Sequence, residues 1–146
     1  MKSDTFINLY KRELNNLKKE ISAYQSENDL WKIAGQVSNP AGNLCLHLCG
    51  NLLYYIGGVL GGTGYIRNRD AEFSRKNIPA ADLLREIDDT IEAVENALGK
   101  VSDDDLAKEF PLDFIGQKVT TGYLLMALLA HLTYHLGQIN YHRRLI

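Results

Sequence analysis

Apolar residues recur at alternating steps of three and four along the start of the chain: Ile7, Tyr10, Leu14, Leu17, Ile21 and Tyr24. Lys11, Arg12, Lys18, Lys19 and Glu20 fall on the other faces. That is the period of an amphipathic helix with one buried stripe, and it predicts a helix over about residues 3–25. A second helix is expected from Gly42 to Leu60, a stretch without Asp, Glu, Lys or Arg that stops at Gly61-Gly62-Thr63-Gly64. A third starts near Pro79, suited to a first turn, and ends at Gly99, suited to a C-cap. Its predicted core stripe is Leu84, Ile87, Ile91, Val94 and Leu98, with acidic residues over the remainder. The fourth begins after Thr120 or Thr121, either of which fits an N-cap, and runs to about Arg143.

The segments between are less regular. Residues 26–41, with Trp31, Gly35 and Pro40, read as a connection holding one helical turn from Ser26. Arg67-Asn68-Arg69-Asp70-Ala71-Glu72-Phe73 reads as a charged loop, and 100–118 as a linker with a short turn after Ser102. No strand-like alternation and no repeat emerges. The expected architecture is all-α, a four-helix bundle forming one domain over residues 1–146.

Composition narrows the function classes. With 146 residues, 45% hydrophobic and 23% charged, the chain suits one soluble core. A net charge of −2 and the lack of a basic stripe argue against nucleic acid. The uncharged runs 33–66 and 119–142 are long enough to span a bilayer. The first is interrupted by Pro40 and glycines and the second by polar side chains, so buried bundle helices are the better reading and no membrane partner is expected. The charged N-terminus has no apolar signal region, which makes the cytoplasm the expected compartment. Helices two and four are apolar all round, while a bundle covers only part of each. A second copy is the simplest cover, so a homodimer through helices two and four is expected.

The chemistry lies in the histidines. His131 and His135 stand one turn apart in the charge-free fourth helix, so both imidazoles can face one spot. Neutral imidazole is the commonest protein ligand for zinc, nickel and similar ions. A catalytic site generally takes three protein ligands and leaves a position open, and helix two offers His47 as the third. Cys45 and Cys49 lie about 160° from His47 on the wheel, so they read as reduced thiols in a helix contact, not as ligands. His142, about 10 Å along the axis from His135, reads as a solvent-edge residue near the helix end. Asn51 and Gln138 are placed to hydrogen-bond a ligand histidine or a bound water, or equally to serve as buried amides. Tyr54 and Tyr134 are either hydrogen-bond donors near the site or aromatic filler. H-E-x-x-H is absent, which excludes the zincin arrangement. The Glu-x-x-His pairs of di-iron bundles are absent too.

The segment Thr121–Ile139, with His131-Leu132-Thr133-Tyr134-His135-Leu136-Gly137-Gln138-Ile139, resembles the last core helix of the DinB/YfiT-like superfamily and its H-x-x-x-H-x-G-Q-[IL] signature. Asn43-Leu44-Cys45-Leu46-His47-Leu48 resembles that family's single-histidine helix. Helix order and motif spacing agree as well, so the resemblance covers essentially the whole chain. It implies an up-down-down-up four-helix bundle, often homodimeric. It also implies a divalent metal, zinc or nickel, on residues matching His47, His131 and His135. Characterised relatives include thiol-dependent S-transferases and a mycothiol-dependent isomerase, and others are assigned as metal-dependent hydrolases. Leu136 departs from the family, where Arg is frequent, so an anion-binding role would fall to the Arg67, Arg69 and Glu72 loop, if that is not simply a solvated surface.

Two functions remain open from sequence. One is a metal-dependent enzyme, hydrolase or S-transferase, because a cation on three neutral imidazoles acidifies either water or a thiol. The other is a non-catalytic dimeric bundle whose histidines serve structure or small-molecule binding. A structural zinc site normally has four protein ligands, and only three are found here, which favours the enzyme.

Overall fold

The structure is a computed structural model and describes residues 2–146. Five helices follow in order: α1 (Ser3–Ser22), α2 (Ala41–Leu52), α3 (Arg69–Ser74), α4 (Ala80–Leu98) and α5 (Thr121–Leu145). Short 3-10 turns at Glu27–Trp31 and Asp104–Ala107 stand where the sequence led one to expect them. Among the described residues there is no strand. Two isolated antiparallel bridges, Glu109 with Thr120 and Phe114 with Gln117, fold the last linker back on itself.

Each long helix forms where its apolar period requires. In α1 the buried face is Phe6, Tyr10, Leu14, Leu17 and Ile21, close to the expected stripe. In α4 the core face is Leu83, Ile87, Thr90, Val94, Ala97 and Leu98, rotated from expectation so that Leu84 and Ile91 are only half-buried. Pro79 stands one residue outside α4, as its N-cap. Thr120 caps α5 by accepting a hydrogen bond from the Tyr123 amide at 3.1 Å. Beyond α2 the helix continues through Leu53–Leu60 with wider π-type turns, as in the Gly61 amide donating to the Ile56 carbonyl.

The long helices enclose one core. α1 packs on α4 and α5, and α2 packs on the same two from the opposite side. All twelve residues of α2 are buried. Sequence led one to expect an uncovered apolar face here, but the chain covers it with its own segments. Trp31 lies against Gly42 so closely that a Cβ there would fall 2.6 Å from the ring, and α3 packs across the outer face. The stretch Ala41–Leu60 is long and apolar enough to cross a bilayer, yet it is mostly buried inside the protein. α5 differs, since Tyr123, Met126, Tyr134, Tyr141 and Leu145 all remain exposed.

His142 is a correction. It is buried at 5% exposure, not at a solvent edge. Its Nε2–H donates to the Lys32 carbonyl at 2.8 Å, and its Nδ1 lies 2.6 Å from the Tyr24 hydroxyl. The connection after α1 therefore wraps over the C-terminal end of α5 and is pinned there.

Candidate metal centre

α2 and α5 face one another with His47 on the first and His131 and His135 on the second. The Nε2 atom of His131 lies 3.1 Å from that of His47 and 3.2 Å from that of His135. All three ligand-type nitrogens fall within 4.8 Å of one another. Ligands at zinc-type bond lengths on a tetrahedron stand about 3.4 Å apart, so the three rings sit close enough to hold one ion.

What stands behind the rings sets which nitrogen carries the proton. His47 Nδ1 lies 2.9 Å from Glu72 Oε1, and His135 Nδ1 lies 2.7 Å from Gln138 Oε1. Both oxygens are acceptors, so each Nδ1 holds the hydrogen and each Nε2 turns a lone pair inward. His131 Nε2 stands within hydrogen-bond distance of both lone pairs, where a proton on it serves them and a cation between the rings would take all three. His131 Nδ1 is buried with no partner. Its pKa is lowered to about 4, first by burial and then by the neighbouring His135, His47, Arg67 and Arg69. The His135 pKa is also lowered, chiefly by burial, against an opposing effect of Gln138. Both rings are thus held neutral at physiological pH, the form that ligates.

Glu72 is the residue that sequence reading placed wrongly. The segment expected as a charged loop folds as α3, started by the Asn68 side chain accepting from the Ala71 amide at 3.1 Å. α3 lays Glu72, 6% exposed, across α2 at Gly50. A Cβ on residue 50 would sit 2.0 Å from Glu72 Oε2, so only glycine admits the carboxylate. Arg67 grips its other side, Nε to Oε2 at 2.9 Å and Nη2 to Oε1 at 3.0 Å. Burial alone would raise the Glu72 pKa, but the hydrogen bonds to His47 and Arg67 outweigh it and hold it below the ordinary carboxylate value. The available signal was an Asn followed by an acidic first turn, the usual opening of a helix.

The other candidates divide. Gln138 supports His135, as described. Asn51 is buried with its Oδ1 unpartnered, and it makes no hydrogen bond to His47. Tyr54 stacks edge-on with Tyr55, 5.0 Å between centroids. Tyr134 is exposed with its ring 5.4 Å from His135. Arg67 is spent on Glu72, and Arg69 lies over the Phe73 ring at 5.4 Å, with Phe73 in turn 4.9 Å from His47. Leu136 packs against the core. Cys45 and Cys49 are free and buried, and the hydrogen bond that the Cys45 thiol donates to Cys49, together with burial, pushes the Cys45 pKa up.

Among solved structures, the chain is similar to a DinB-like protein from Bacillus cereus ATCC 10987, with a TM-score of 0.74 at 20% identity. The likeness covers 98% of this chain and 91% of that one. No curated protein matches. Residues 2–146 match a family described as a protein of unknown function, DUF1572. By that match across its length the chain belongs to the DUF1572 family, and its fold is that of the DinB-like protein.

Proposed function

We propose that this protein is a metal-dependent enzyme, a hydrolase or thiol S-transferase, that holds one divalent ion, zinc or nickel, on His47, His131 and His135. The observation that carries the reading is the inward convergence of three Nε2 atoms while two of the rings are fixed from behind by Glu72 and Gln138. An ion there supplies a Lewis acid that lowers the pKa of water or of a thiol. The chain's own part is orientation. Glu72, pinned by Arg67, makes His47 a stronger donor, and Gln138 does the same for His135. Three protein ligands leave a coordination position for a reactant.

The arrangement of the long helices is read as an up-down-down-up four-helix bundle, and the protein as cytoplasmic. A homodimer is proposed through the expected helices two and four, α5 and the half-exposed continuation of α2 over Leu53–Leu60, since α2 itself is covered. Tyr123, Met126 and Ala130 form the uncharged exposed strip of α5.

Metal analysis of the purified protein tests the reading. One ion per chain is expected, lost in His47→Ala and His131→Ala. Full occupancy in both variants would overturn it. Turnover of low-molecular-weight thiols against ester and amide substrates then separates the two chemistries.

A further inference from the structure

A cavity of about 630 Å³ lies against the metal centre, between the connection 36–39 and the C-terminal half of α5. Two of its lining residues, His135 and Gln138, belong to the centre itself. Its volume is within the range of small-molecule sites. The remaining wall is distinctive in its chemistry. Val37, Tyr134, Tyr141 and Leu145 supply apolar surface, and Gln36, Ser38 and Asn39 supply neutral hydrogen-bonding groups. No Lys, Arg, Asp or Glu lines it, although 23% of the chain is charged. A charged group lodged against this wall, away from the three-histidine centre, would lose water and find no charged side chain lining it.

The wall is also preformed. His142, at the base of the cavity, holds the Lys32 carbonyl and the Tyr24 hydroxyl, so the connection 26–40 is tied to α5 before any ligand arrives. The basic groups nearest the centre are turned away from this role, Arg67 onto Glu72 and Arg69 onto Phe73.

We propose that this cavity binds the body of an uncharged organic substrate, aromatic or branched alkyl with neutral polar groups, whose reacting end reaches the three-histidine centre past His135. This rests on the metal-centre reading above and adds the substrate class to it. It disfavours substrates recognised through carboxylates or phosphates.

The test is calorimetric binding of three hydroxamates to the zinc-loaded full-length protein. Acetohydroxamate carries the chelating head alone, benzohydroxamate adds an uncharged ring, and 4-carboxybenzohydroxamate adds a charge to that ring. Benzohydroxamate is expected to bind about tenfold tighter than acetohydroxamate, equivalent to about 1.4 kcal/mol, and the carboxylate should abolish that gain. Tyr141→Ala, a change at an exposed side chain, should remove the ring's advantage while leaving acetohydroxamate unchanged. If the head binds but the ring adds nothing, or the carboxylate binds best, or Tyr141→Ala leaves the advantage intact, the cavity proposal fails alone. If no hydroxamate binds the zinc-treated protein, the metal-centre reading fails and the proposal with it.

Discussion

Gly50→Ala is a single methyl that should loosen the metal centre without touching a histidine. The added Cβ would fall 2.0 Å from Glu72 Oε2 and 2.6 Å from its Cδ, distances no pair of atoms tolerates. The far end of a glutamate gives way more easily than two packed helices, so the carboxylate should swing out. It then leaves His47 Nδ1, now 2.9 Å away, and both arms of Arg67. Losing such a partner behind a ligand typically costs 10–100-fold in metal affinity, or about 1.4–2.8 kcal/mol. Ala is favoured over Gly in a helix interior by up to ~1 kcal/mol, so the metal-free protein should not be broadly unfolded. Zinc affinity measured by competition with a chromogenic chelator should therefore fall 10–100-fold, with little change in the melting temperature of the metal-free protein. Glu72→Gln should weaken binding comparably, and the double variant should be no worse than either single one, since both remove the same contact. Zinc affinity of Gly50→Ala within twofold of the parent, or additive losses in the double variant, would refute the coupling of Gly50, Glu72 and His47.

Three further outcomes are expected. In metal-free protein, native His131 stays neutral down to about pH 4, while the unfolded chain takes up that proton near its usual value of about 6.5. The unfolded state binds more protons across that window, so stability should decline as pH falls from 6.5 towards 4. Urea midpoints should show this decline, and His131→Gln should flatten it. Gly42→Ala would drive a Cβ to 2.6 Å from the Trp31 ring and should cost about 1–3 kcal/mol in denaturant unfolding; an unchanged midpoint would mean that Trp31 does not cover α2 as described. Light scattering at micromolar concentration should give a dimer mass that Ala130→Glu, on the exposed strip of α5, reduces to a monomer. A parent that is already monomeric would remove the dimer proposal.

The helical period in the sequence was enough to locate α1 and α4, because a buried face must repeat every third or fourth residue, and the lack of charge between glycine and threonine boundaries located α2 and α5. It was enough, too, to nominate His47, His131 and His135, since two imidazoles one turn apart on a charge-free helix are a local pattern. Partners distant in sequence were beyond its reach. Glu72 meets His47 only because α3 folds across α2 and Gly50 leaves room for the carboxylate, and no spacing in the chain records that contact. His142 looked exposed because it sits near a helix end, yet the connection after α1 wraps over it. The same wrapping by Trp31 and α3 buried the apolar face of α2 that had suggested an interface. Periodicity fixes which side of each helix avoids water, but only packing decides what covers that side and which polar groups are carried in with it.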